Sequence, residues 1–274
     1  MRSKITTVQK SQEISALLAV PESRIIAGGT TFSPEEKETL YLVDISALEG
    51  LDGIRKKGNR MEIGPLAPLS ALADSGTVQA FAPALAASAA DAAVPDIREK
   101  ATLGGNLASA RIGDAAVVLL AYGAKLTIRT DTDYREILID RFWNADGDND
   151  LNYDEWIMRI SLQIPSGSVG EAFGKTGEWD LTRETAGAAA VRIRLNEDDT
   201  VADIRGGLRV GYRNIRRMFP LEKALKNKPV SEENLQKAVR AMLSVISGSG
   251  ETLSPLLTDV LARAAGMAKE RRIL

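Results

Sequence analysis

Two glycine pairs, Gly28-Gly29 and Gly104-Gly105, constrain this chain more than any other feature. The first follows a short apolar run, Ile25-Ile26-Ala27, and leads into Thr30, Thr31 and Phe32. The second lies within Ala101-Thr102-Leu103-Gly104-Gly105-Asn106-Leu107. Glycine has no Cβ, so each pair lets another group approach the backbone closely. Each pair also has a hydroxyl or amide side chain beside it.

A diphosphate needs this kind of surface. Backbone N–H groups can reach its oxygens, Thr and Asn add side-chain hydrogen bonds, and no lysine is required. Glycine pairs also make ordinary turns. The residues alone therefore leave two readings open: turns, or phosphate-binding loops.

The 274 residues contain no cysteine and no histidine. That excludes disulfides, a cysteine-ligated iron–sulfur cluster and a thiol nucleophile on this chain. It also removes the commonest metal ligand and the commonest general base near neutral pH. Any redox chemistry here must be carried by a bound organic cofactor, and if that cofactor hands electrons on, metal centres must sit on other chains. The formal charge is 35 − 37 = −2, which gives no general attraction to nucleic acid or anionic membrane. The longest apolar run, Ala115 to Ala124, is shorter than the roughly 20 residues of a spanning helix. Met1 to Lys10 is polar, without the apolar centre of a signal peptide. The expectation is a cytoplasmic protein without a membrane span.

Periodicity predicts a short helix over Glu13–Val20 and strands at Arg24–Ala27, Thr39–Asp44, Gly53–Arg55 and Arg60–Ile63. Helices follow at Ser70–Ala73, Pro83–Ala93 and Ala115–Tyr122, then strands at Lys125–Arg129 and Ile157–Ile164. Asp146 to Glu155 reads as an exposed acidic loop. Composition shifts at Pro165-Ser166-Gly167-Ser168, which divides the chain into units 1–165 and 166–274. The second unit reads as three antiparallel strands, Glu171–Thr176, Gly187–Leu195 and Val201–Val210. Helices at Leu221–Leu225, Ser231–Val245 and Pro255–Lys269 complete it, with Ser231 as a helix cap. The class is α+β.

Ala27-Gly28-Gly29-Thr30 after a short strand, and Ile97-Arg98 followed by Thr102-Leu103-Gly104-Gly105-Asn106-Leu107, resemble the two FAD loops of one flavoprotein family. This is the FAD-binding (medium) subunit of molybdenum hydroxylases, the xanthine dehydrogenase and aerobic carbon monoxide dehydrogenase type. The resemblance runs over most of the chain, and its second loop is the more specific. It implies a two-lobed FAD-binding domain of the vanillyl-alcohol-oxidase (PCMH) type, with lobes at about 1–55 and 56–165, followed by the C-terminal α+β domain. It implies that Ile25, Ile26, Ala27, Gly28, Gly29, Thr30, Thr31 and Phe32 wrap the diphosphate and its ribose side. Thr102, Gly104, Gly105 and Asn106 would hold the other face. Asp114 would contact the cofactor, and Lys175 would lie near the flavin ring, where a cation favours the anionic reduced form. Asp is also a favoured helix cap, so Asp114 has a second reading as the cap of the helix at Ala115.

The resemblance further implies partner chains: a small subunit with two [2Fe–2S] clusters and a large subunit with the molybdenum cofactor. Electrons would pass from the clusters to FAD and on to NAD, a quinone or O2. A free-standing flavin oxidoreductase and an assembly subunit with a degenerate flavin site are the alternatives. The sequence departs from the family at Thr31, where an acid is common, at Arg111, where a small residue or proline is usual, and at Gly177-Glu178-Trp179-Asp180 in place of an arginine-rich segment.

Three other patterns carry less. Gly170 to Thr176 misses a P-loop by one residue, with Val169 where the glycine belongs. Asp146, Asp148 and Asp150 alternate as in a calcium loop, but Leu151 and Ile157 stand where Gly and Glu are required. Arg213, Arg216 and Arg217 read as a solvated basic face.

Overall fold

A computed structural model describes residues 4–31, 41–109, 112–176, 187–211, 213–246 and 250–273. The chain opens with β1 (Lys4–Thr7), a 3-10 turn at Ser11–Glu13, α1 (Ile14–Leu18), β2 (Ser23–Ile26) and β3 (Tyr41–Asp44). The three strands form a parallel sheet in the order β1-β3-β2. Val8, Ile14, Val43, Ile45 and Trp156 fill the core beneath it. Because β2 is an edge strand, its end runs freely into the first glycine pair.

The hairpin β4 (Ile54–Lys57) and β5 (Arg60–Ile63) turns at Gly58-Asn59, with Gly58 left-handed at φ 58°. This is narrower than the four-residue turn expected from the polar stretch Lys56 to Asn59. Six helices follow: α2 (Leu69–Asp74), α3 (Gly76–Phe81), α4 (Pro83–Ala90), α5 (Pro95–Arg98), α6 (Leu103–Ala108) and α7 (Asp114–Tyr122). Then come β6 (Lys125–Arg129), β7 (Tyr134–Leu138) and β8 (Trp156–Gln163). With β4 and β5 they make an antiparallel sheet ordered β4-β5-β8-β6-β7.

The remaining strands are β9 (Val169–Lys175), β10 (Gly187–Leu195), β11 (Val201–Val210) and β12 (Asn214–Arg217), antiparallel in the order β12-β11-β10-β9. The expected meander thus has a fourth strand. Asn214–Arg217 is short and half charged, so neither alternation nor hydrophobicity marks it as a strand. It pairs with β11, and its Ile215 packs on the core. Helices α8 (Phe219–Leu225), α9 (Glu232–Leu243) and α10 (Gly250–Ile273) cover one face of this sheet. Ser231 caps α9 as expected, its hydroxyl accepting from the Asn234 N–H at 3.3 Å.

Helix α7 joins the layers. All nine of its residues are buried, as a helix apolar all round after its first residue requires. One side packs on α4 and α6, and the other lies on β10 and β11. A Cβ on Gly207 would overlap the Val117 carbonyl oxygen, so glycine sets that approach. Phe173, Ala188 and Ala190 complete the core around α7. Burying a side chain such as Leu119 or Leu120 stabilises by about 1.5–3 kcal/mol.

The acidic stretch after residue 145 is an ion-paired surface. Asp148 pairs with Arg213, and Asp150 with Arg135 at 2.8 Å. Its last residue departs from the expected exposure: Glu155 is buried and bound to Arg135 at 2.7 Å. No helix among the described residues is long and apolar enough to cross a membrane.

Candidate cofactor site

Ile25 and Ile26 end β2, and the chain then turns through Ala27, Gly28, Gly29, Thr30 and Thr31. Phe32 lies outside the described residues. Gly29 is left-handed at φ 67° and its open side faces no backbone, a conformation that suits glycine. Gly28 is pressed against the second loop: a Cβ there would overlap the Lys100 carbonyl. The two glycine segments therefore touch. The backbone N–H groups of Gly28, Gly29, Thr30 and Thr31 donate to no other described residue. Partly exposed amides without protein acceptors are what an anionic ligand can use.

The second segment is not a loop but the start of α6. The Thr102 hydroxyl caps the helix, accepting from the Gly105 N–H at 3.2 Å. Leu103 and Gly104 donate to the carbonyls of Ala67 and Pro65, at 2.9 and 2.8 Å, and Asn106 donates to the Thr102 carbonyl at 2.9 Å. These amides are used within the protein. Gly104 has a packing reason as well, since a Cβ there would stand 2.8 Å from the Pro65 Cβ. Two glycines argue against helix by propensity; the capping threonine and the contact with Pro65 override it.

Asn106 links this helix to the next. Its carbonyl accepts from the Gly113 N–H at 2.9 Å, and its amide side chain fills the space where Gly113 lacks a Cβ. The buried Asn106 Oδ1 has no partner among the described residues. Gly113 occupies the cap position of α7, and Asp114 is its first helical residue.

The Asp114 carboxylate is therefore not the cap. It is buried and ion-paired on both oxygens, Oδ1 to Arg209 at 2.6 Å and Oδ2 to Lys175 at 3.4 Å. Lys175, at the end of β9, also meets the Asp91 carboxylate at 3.2 Å and donates to the Asp91 carbonyl. Two carboxylates thus balance two cations where α7 meets the C-terminal sheet. Arg209 and Asp91 belong to this cluster without having been expected there. Arg209 looks in sequence like every other arginine of its strand, and only its burial, 9% side-chain exposure, distinguishes it.

These pieces form one continuous path. Gly28 touches the segment that precedes Thr102, Asn106 rests on Gly113, and Asp114 binds Lys175. Amides that donate to no described residue and a held lysine fit a ligand with a phosphate at one end and a group needing a cation at the other, and the orphaned Asn106 Oδ1 can accept from a donor of that ligand.

Residues 1–166 match the family model for the FAD binding domain in molybdopterin dehydrogenase. The chain belongs to that family. This FAD-binding chain is thus a flavoprotein of the oxidoreductase class. It is similar to the nicotine 6-hydroxylase medium subunit of Paenarthrobacter nicotinovorans, with 28% identity over 88% of each chain. It is 28% identical to the carbon monoxide dehydrogenase medium chain of Hydrogenophaga pseudoflava, over 91% of this chain and 90% of that one. In fold, the flavoprotein superposes on a chain of the solved carbon monoxide dehydrogenase from Hydrogenophaga pseudoflava with a TM-score of 0.89. That match has 23% identity and covers 97% and 98% of the two chains.

Proposed function

We propose that this flavoprotein is the electron-transferring medium subunit of a three-part molybdenum hydroxylase. Its relatives named as medium subunits match it over nearly their whole length, which supports a role as one chain of a larger enzyme. The chain's lack of cysteine and histidine fits a division in which a small subunit holds [2Fe–2S] clusters and a large subunit holds the molybdenum cofactor. FAD supplies the redox chemistry, accepting electrons from the clusters for delivery to an acceptor such as NAD, a quinone or O2.

The observation that carries the site assignment is the run of amides from Gly28 to Thr31 that donate to no described residue, with Gly28 pressed against the segment before α6. These amides, with Ile25, Ile26, Ala27 and Phe32 beside them, would hold the diphosphate and ribose. Thr102, Gly104 and Gly105 shape the opposing wall, and Asn106 offers its amide. Lys175 is fixed by Asp114 and Asp91, so its charge is oriented before any ligand arrives.

The test is anaerobic mixing of the FAD-loaded chain with its separately reduced [2Fe–2S] partner. The expected result is bleaching of the flavin band near ~450 nm, slower in Lys175→Gln. Bleaching by a small-molecule substrate with no partner present would instead make the chain a free-standing oxidoreductase.

A further inference from the structure

At the end of α7 remote from Asp114, a cavity of about 280 Å3 opens. It lies between the helix C-terminus, the segment after β8 and the sheet strands β9 to β11. Tyr122, in its lining, stands at the opposite end of the nine-residue helix from Asp114, roughly 12 Å away at 1.5 Å per residue. Three arginines line it: Arg192, Arg194 and Arg205. Among the described residues lining it, Asp203 is the one acid.

The register sets like charges side by side. Arg192 on β10 stands directly opposite Arg205 on β11, and Arg194 opposite Asp203. Like charges directly opposite destabilise an antiparallel pair. The compensation nearby is incomplete. Arg192 stacks over the Tyr122 ring at 5.0 Å and reaches Glu171 only at 3.9 Å. Arg205 meets Asp140 at 3.4 Å, and its Nε is buried without an acceptor. Burial, then the like charge of Arg217, disfavour the charged form of Arg205, and Asp140, Glu222 and Asp203 offset this only in part. Arg194 is exposed and makes no ion pair with a described residue.

We propose that this cavity binds a small tetrahedral oxyanion, inorganic phosphate or a phosphate monoester, at a site separate from the glycine segments. A guanidinium fork matches two oxygens of such an anion. Three forks from two adjacent strands surround it, and the anion relieves the opposed pair Arg192 and Arg205.

The experiment is calorimetric titration of the full chain, saturated with FAD, at constant ionic strength. The probes are inorganic phosphate and glycerol 3-phosphate. The expected result is saturable binding of at least one, weakened about tenfold or more in Arg194→Ala. Arg194 is exposed, so this variant keeps the fold, and Arg60→Ala, an exposed arginine elsewhere, should bind like the wild type. Tighter binding of the ester than of phosphate would identify an esterified ligand, and the reverse a free ion. No saturable heat, or equal affinity in the wild type and Arg194→Ala, overturns the proposal. Because Arg194 is remote from the glycine segments, its effect on phosphate is read independently of whether FAD occupies them.

Discussion

Asp114 holds two cations from the C-terminal sheet with one carboxylate, and neither oxygen is exposed to solvent enough to replace them with water. Removing one partner of a buried pair leaves the other charge uncompensated. Asp114→Asn should therefore lower unfolding free energy by about 3–5 kcal/mol, measured by urea denaturation. At Gly28 the restriction is steric. Gly28→Ala would drive a methyl into the Lys100 carbonyl, and overpacking of this kind costs about 1–3 kcal/mol. Since the displaced segment carries the unbonded amides, FAD affinity should fall together with thermal stability. The family resemblance marked Gly28, Asp114 and Lys175 as candidate site residues, and the structure brings Asp114 and Lys175 together. Arg209 was not legible in the sequence, since a buried arginine and a solvated one have the same letter and the same place in a strand's alternation.

Between elements, α6 shows where local sequence misleads. Two glycines and a threonine read as a loop, yet the segment is helical because Thr102 caps it and Gly104 fits against Pro65. Thr102→Ala should cost about 1 kcal/mol and shift the thermal midpoint down without removing the helix. The strands β6, β10 and β11 were legible to the residue, being long and strongly patterned. Strand β12 was not, because four residues with a single apolar side chain give no alternation to read.

The contact of α7 with β9 adds a pH dependence. Tyr122 donates to the Glu171 carboxylate in a buried setting, and burial raises the Glu171 carboxyl above its ordinary value of 4.5. The folded state then binds this proton more tightly than the unfolded chain. Its contribution is complete below about pH 4.5 and declines as pH rises towards the folded value. Glu155 acts oppositely: the Arg135 guanidinium lowers its carboxyl, so that contribution is lost as pH falls. Glu171→Gln should thus gain stability relative to the wild type as pH rises above about 4.5, with the difference read from calorimetric melts.

At the scale of the molecule, three sheets and one central helix bring the first glycine segment, the start of α6 and the end of β9 onto a continuous path. The α+β class and the family were legible because glycine pairs and their neighbours are local signals. The closeness of the two segments, the spent amides of α6 and the arginine-lined cavity were not, since each depends on residues far apart in sequence meeting in space. The central claim is that this path binds FAD. The measurement that tests it most directly is the visible spectrum of the purified chain before and after denaturation, with chromatography of the released cofactor. The account predicts bands near ~370 and ~450 nm, released FAD close to one per chain, and loss of both in Gly28→Ala. A folded, colourless chain that takes up no added FAD would contradict it.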